Sequence, residues 1–215
     1  MRDVAKQRGA RGEHSTSDLP KSARTRERIL DAAAKVLARN GYAGTRLSDI
    51  AELAEVQAPA LYYYFSSREE LIEEVMTLGQ HRTFEYVRSA LDALPDDATP
   101  MDRICEAVGA HLEVGLQLSD FASATIRNGG QLPPDMRERQ LVEQHSYGDL
   151  WRQLFEDARK AGEINPALDP SAVRMLVLGA MNWSPEWWDP GRGSLRSLIT
   201  TAQTLVRQGL SAPPG

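Results

Sequence analysis

The 215-residue chain has a single cysteine, Cys105, so neither an intrachain disulfide nor a cysteine-ligated zinc site can form. A lone thiol suits a reducing cytoplasm, and Cys105 is expected to serve as a small buried apolar residue. No apolar run approaches the roughly 18 residues of a membrane span, and the first residues lack the hydrophobic stretch of a signal peptide. The protein is therefore expected in the cytoplasm. No segment repeats, and apolar–polar alternation is nowhere long enough to define a strand. The chain reads as all-α.

Catalytic patterns are equally scarce. The four histidines, His14, His81, His111 and His145, complete neither H-E-x-x-H nor E-x-x-H. His81 and Glu85 stand one helical turn apart, an ordinary polar pair, because a catalytic metal usually needs three protein ligands. Gly129-Gly130 and Gly191-Arg192-Gly193 follow no strand and match no phosphate-binding fingerprint; they punctuate helices. No local motif joins a serine nucleophile to its base, although such triads are dispersed in sequence. No catalytic residue, metal or cofactor is expected.

Charge is present but unevenly spread. The net charge of −5 argues against nucleic acid only as a sum. From Met1 to Arg68 there are 12 Lys and Arg against 8 Asp and Glu; from Glu69 to Gly215 there are 13 against 22. The basic part has a distinct pattern. Met1 to Pro20 is polar and aperiodic, an expected disordered arm carrying Arg2, Lys6, Arg8 and Arg11. Ile29, Ala33, Val36 and Leu37 then recur at helical spacing up to Asn40-Gly41, residues that tolerate a helix stop. Thr45 stands where an N-cap hydroxyl belongs, before Leu47, Ile50, Ala51 and Ala54 on one face. Gln57-Ala58-Pro59 opens a third short helix with Leu61 and Phe65 inward. Two short helices joined by a tight turn and braced by a longer one form a helix-turn-helix, whose second member enters the DNA major groove.

Further helices follow at regular intervals. Ser67-Arg68-Glu69-Glu70 matches a capping box ahead of Leu71, Val75 and Leu78, and that fourth helix ends before Pro95. Thr99-Pro100-Met101-Asp102 starts a fifth, with Ile104, Cys105, Val108, Leu112 and Leu116 apolar. A sixth spans Asp120 to about Asn128. A seventh runs from Pro133-Pro134 to Ala161-Gly162, with Leu141, Tyr147, Leu150, Trp151, Leu154 and Phe155 on its buried side. Asp169-Pro170 caps an eighth reaching Met181, and a ninth carries Leu195, Leu198, Ala202 and Leu205. Asn182 to Gly191, holding three of the four tryptophans, is expected as the connection between them; packing, a dimer interface and a ligand site are all open to it.

GYAGTRLSDIA, LYYYF and SSREEL together resemble the DNA-binding domain of the TetR family of bacterial one-component repressors. The resemblance covers about 50 residues closely and the rest by architecture. It implies a helix-turn-helix domain over 21–68 and a ligand-binding and dimerisation domain over 69–215, about nine helices in all. It implies phosphate contacts from Thr45, Tyr62 and Arg68, and a recognition helix from Gln57 to Tyr64. Lys21, Arg24, Arg26, Arg46, Ala58, Pro59, Ala60 and Tyr63 complete the surface expected against a double-stranded operator. Thr45 can also act purely as a cap. Three consecutive aromatics point about 100° apart and cannot all be buried: Tyr64 is expected to pack partly, Tyr62 and Tyr63 to face out. Glu55 and Gln57 depart from the family's usual Gly and Ser, which removes a favourable turn residue and a standard cap.

MNWSPEWWDPGRGS and the final amphipathic helix look like a subgroup controlling fatty-acid and steroid degradation. That likeness implies an acyl-CoA or similar hydrophobic effector, enclosed by helices four to seven. Its expected lining is Phe84, Val87, Ile104, Val108, Leu112, Ile126, Trp151 and Phe155; Arg127, ahead of Arg137 and Arg152, is expected to meet an anionic group. A homodimer interface of helices eight and nine is implied through Leu176, Ala180, Trp183, Leu198, Ala202 and Leu205. Two other readings stand beside this one: a helical lipid- or acyl-binding protein or enzyme without a regulatory DNA site, and a DNA-binding architectural protein without an effector.

Overall fold

The computed structural model describes residues 20–211, with 142–144 by backbone only. The arm expected over residues 1–20 therefore lies outside the described residues apart from Pro20. The helices are α1 (Lys21–Gly44), α2 (Leu47–Leu53), α3 (Ala58–Tyr64), α4 (Arg68–Asp92), α5 (Pro100–Glu113), α6 (Asp120–Asn128), α7 (Pro134–Lys160), α8 (Pro170–Trp187) and α9 (Leu195–Leu210). A π-helical turn, Val114–Leu118, continues α5. The only extended pairing among the described residues is an isolated bridge, Ile164 to Ser211.

Local chemistry sets most boundaries. Ser67, Ser119, Asp169 and Ser194 each accept a hydrogen bond from the backbone N–H three residues on, capping α4, α6, α8 and α9. At α5, Thr99 and Asp102 form a reciprocal capping box. The box expected at Ser67 is half made: Ser67 caps Glu70, but the Glu70 carboxylate accepts from the Ser66 N–H (2.6 Å) and hydroxyl, which holds its pKa below the usual range. α7 ends in a Schellman turn, with Gly162 at φ 74° and Glu163 N–H donating to the Ala158 carbonyl.

Three sequence expectations change. Helix α8 does not stop at Met181 but runs through Pro185 to Trp187. Proline leaves the Met181 carbonyl without its helical donor, and the Ser184 hydroxyl donates to it instead at 2.6 Å. Leu141 is exposed rather than buried. The far end of α5 widens into the π turn, whose Gly115 carbonyl accepts from the Ser123 hydroxyl on α6.

Two apolar cores result. The first joins Ile29, Leu37, Ile50, Leu61 and Phe65 to Leu71, Val75 and Met76 of α4, Phe121 of α6 and Met136 of α7. The second gathers Val87, Ile104, Val108, Trp151, Phe155 and Met181. The first core thus extends across the division expected at Arg68–Glu69: α1 packs on α4 and α6, α2 packs on α1, and α3 on α2. Gly79 permits the closest crossing: a Cβ there would stand 2.1 Å from Thr125 Oγ1 and 2.2 Å from the Phe121 carbonyl oxygen.

Candidate nucleic-acid interface

Helix α3 is held by its inner edge. Leu61 and Phe65 are buried, Tyr64 half-buried against the same core, and Tyr62 and Tyr63 are 62% and 80% exposed. Gln57, Ala58 and Pro59 are exposed and Ala60 half-buried. The three tyrosines divide as their 100° spacing requires. Gln57 is the residue before α3, and its side chain makes no cap hydrogen bond, as its departure from serine implied.

The turn before α3 accounts for Glu55. Glu55 takes φ 54°, a left-handed conformation that costs a residue with a Cβ about 1–2 kcal/mol. Around it the N–H of Val56 donates to Ala51 and that of Glu55 to Glu52, a complete Schellman motif with a glutamate where glycine is usual. Arg28 on α1 reaches over and donates to the Ala54 carbonyl at 2.7 Å and the Glu55 carbonyl at 3.3 Å. That contact clamps the turn despite its residue.

The cations expected to touch DNA fall into two groups. Lys21, Arg24 and Arg46 are exposed and form no ion pair among the described residues. Arg26 pairs with Glu74 at 2.5 Å and lies over the Phe65 ring. Arg68 is more heavily engaged: Nε donates to the Thr45 carbonyl (2.8 Å), Nη2 to the Tyr42 carbonyl and Nη1 to Glu69 (3.0 Å), with the guanidinium over the Tyr42 ring. It braces the segment between α1 and α2. Thr45 departs from expectation in both roles. Arg46, not Thr45, is the residue before α2, and the buried Thr45 hydroxyl donates inward to the Gly41 carbonyl at 2.7 Å.

That inward turn starts at Gly41, whose φ of 70° and ψ of 174° suit glycine almost alone. The break strands the last polar groups of α1, and two consecutive residues of α6 take them. Asn128, fully buried, accepts from the Tyr42 N–H (2.8 Å) and donates to the Leu37 carbonyl (3.2 Å). Arg127 donates to the Ala38 carbonyl (2.9 Å) and pairs with Glu186 of α8 (2.9 Å). Sequence reading missed Asn128, since a polar residue on a short helix carries no signal of a distant helix end.

Residues 29–75 match bacterial regulatory proteins of the tetR family, and residues 97–210 match the tetracyclin repressor-like C-terminal domain. The chain belongs to the TetR family. It is similar to the HTH-type transcriptional repressor KstR2 of Rhodococcus jostii, 27% identical over 197 residues, covering 87% of this chain and 92% of that one. It also resembles the fatty acid metabolism regulator protein of Bacillus subtilis, 22% identical over 160 residues, 74% and 81% of the two chains. In fold it resembles AibR, solved in complex with isovaleryl coenzyme A and operator DNA, with a TM-score of 0.75 and 22% identity over 88% of this chain and 100% of that one. The protein is a DNA-binding transcriptional regulator. The enzyme and lipid-carrier reading falls away, because the families matched are regulators.

In this TetR-family regulator most of the residues expected around an effector are buried together in the second core. Val87, Ile104, Val108, Leu112, Trp151 and Phe155 are buried in one cluster with Phe84 at its edge, while Ile126 lies outside it. Within that cluster His111 is wholly buried, its Nδ1 2.7 Å from the Tyr147 hydroxyl. Burial pushes the His111 imidazole down to about 4, against a smaller opposing pull from Asn182, and pushes the Tyr147 phenol up. Among the described residues, His111 Nε2 and Trp151 Nε1 have no close hydrogen-bond partner. Arg127, expected at the effector, is committed to Ala38 and Glu186; Arg137 donates to the Gly130 and Leu132 carbonyls, and Arg152 pairs with Asp149. An open cleft of ≈ 590 Å³ lies instead between α5 and α9, beside Cys105, Gln203 and Arg207.

Leu176, Ala180, Trp183 and Trp187 form an exposed stripe along α8 at steps of four, three and four residues, and Leu205 of α9 is 67% exposed. Leu198 and Ala202 are half-buried against their own second core. Among the described residues, no helix is long and apolar enough to cross a membrane and no three ligand side chains gather for a metal.

Proposed function

We propose that this protein is a cytoplasmic, homodimeric repressor that binds an inverted-repeat operator and releases it when a small hydrophobic effector, an acyl-CoA or its free acid, enters the second core. The observation that carries the reading is the outward face of α3: uncharged, held rigidly from behind, and accompanied by the exposed cations Lys21, Arg24 and Arg46. Residues 21–68 supply DNA contact, and 69–215 supply effector binding and dimerisation.

The α8 stripe supports the dimer. A two-fold axis beside it would bury Leu176, Ala180, Trp183 and Leu205 against their copies and set two α3 helices about one DNA turn, roughly 34–36 Å or somewhat more, apart. The buried His111, Tyr147 and Trp151 support the effector, because polar groups set in a largely apolar core, with His111 Nε2 and Trp151 Nε1 lacking a close partner among the described residues, offer hydrogen bonds to a polar atom of a guest. AibR, whose structure holds isovaleryl coenzyme A, supports the thioester class, and the fatty acid metabolism regulator supports an acyl chain. A 100-fold preference of the effector for the DNA-free conformation contributes about 2.7 kcal/mol, enough to empty a marginally occupied operator.

The test is selection of bound genomic fragments, followed by gel-shift titration of the recovered operator with acyl-CoA esters and free acids. Release of the wild type, but not of an Ile104→Trp variant that fills the core, is expected. Failure of every compound to release the wild type sinks the acyl assignment, and equal response of the variant moves the site elsewhere.

A further inference from the structure

The surface that α3 offers to DNA is defined by what it lacks. From Val56 to Ser67 there is no charged residue. Exposed on this stretch are the Gln57 amide, the small apolar Ala58 and Pro59, and the rings of Tyr62 and Tyr63. Of the nearby guanidiniums, Arg28 is held by the Ala54 and Glu55 carbonyls, Arg68 by those of Tyr42 and Thr45, and Arg26 by Glu74; the exposed Arg24 and Arg46 lie on α1 and just before α2, not on α3.

Base chemistry turns that composition into a preference. A guanine in the major groove shows two acceptors, O6 and N7, read most often by a bidentate Arg or Lys. α3 has neither. An adenine shows N7 as acceptor and N6 as donor, the pair matched by a carboxamide, and Gln57 is exposed with its side chain unused as a cap. Thymine adds a 5-methyl group, which small apolar side chains contact. Ala58 and Pro59 against a G·C edge would strip water from its acceptors and offer no donor in return, which is unfavourable.

Resting on the operator-binding reading above, we infer that α3 reads A·T pairs at the centre of each operator half-site, with Gln57 on an adenine and Ala58–Pro59 on thymine methyls. Tyr62 and Tyr63 flank this patch and donate their hydroxyls to phosphates, which positions the helix without specifying sequence.

The experiment uses the full-length protein and the operator recovered by selection, at fixed salt with random DNA as competitor. Each half-site thymine is replaced in turn by uracil, which removes only the methyl group, and each adenine by 7-deazaadenine, which removes only N7. At least one uracil is expected to weaken binding about four-fold, the worth of one buried methyl-sized group. At least one 7-deazaadenine is expected to weaken it about ten-fold, within the range for a bidentate contact. In Gln57→Ala the 7-deazaadenine penalty should vanish and the uracil penalty persist; in Ala58→Gly the uracil penalty should shrink. A half-site with a G·C centre, or replacements that leave specific binding unchanged, would overturn the inference while leaving a DNA-binding regulator intact. Absence of specific binding to any fragment would overturn the operator reading itself.

Discussion

Arg28 donates to the Ala54 carbonyl at 2.7 Å across the turn in which Glu55 is left-handed, so one residue of α1 holds the angle between α2 and α3. Glu55→Gly removes the strain and is expected to stabilise the fold by about 0.5–1 kcal/mol once glycine's extra chain entropy is counted. Arg28→Ala is expected to cost about 1 kcal/mol, and less in the Glu55→Gly background, since the two act on the same turn. Thermal melts of both single variants and the double variant measure the coupling; strict additivity would mean that Arg28 does not support this turn.

Arg68 is a brace in this structure, although its sequence position suggested a phosphate contact. Arg68→Ala is expected to lower stability by roughly 1–2 kcal/mol, because the Tyr42 and Thr45 carbonyls lose a charged donor at a partly exposed site. Its salt dependence of DNA binding should match the wild type. Arg24→Ala or Arg46→Ala should instead leave stability alone and flatten the log–log salt slope by about 0.9. A flattened slope for Arg68→Ala would restore it to the DNA surface.

Asn128→Ala should strand the Tyr42 N–H and Leu37 carbonyl inside the protein, at about 2 kcal/mol or more. Asn128→Asp keeps the acceptor but sets a buried carboxylate against the Leu37 and Ala124 carbonyls, and should cost at least as much as alanine. Hydrogen exchange at Tyr42 is the local readout: faster exchange is expected in the alanine variant, and unchanged protection would show that the cap contributes nothing.

The buried His111 makes stability depend on pH. Its pKa is about 4 folded against 6.5 unfolded, so only the unfolded chain takes up its proton between those values. This contribution is complete above about pH 6.5 and is lost as pH falls toward 4; from pH 7 to 5 the loss is about 2 kcal/mol. Urea denaturation of wild type and His111→Gln at the two pH values isolates it. A glutamine variant that loses as much stability as the wild type would show that other groups carry the change.

Most of the helical outline was legible in the chain because its signals are local. Thr99-Pro-Met-Asp caps α5, Asp169-Pro170 starts α8, and the spacing of Leu61 and Phe65 sets the inner edge of α3 wherever the rest of the chain lies. The absence of charge on α3 was equally a property of sequence. Tertiary structure alone decided which carbonyls each arginine meets. Arg28, Arg68 and Arg127 look alike as exposed cations on helices, and only the fold brings them to the ends of α2 and α1, where helix termini leave oxygens that need donors. It also decided that α8 passes through Pro185, because the Ser184 hydroxyl satisfies the carbonyl that proline abandons. It also gathered Ile104, Val108 and Trp151 into one buried cluster, since apolar side chains minimise their exposure by mutual contact.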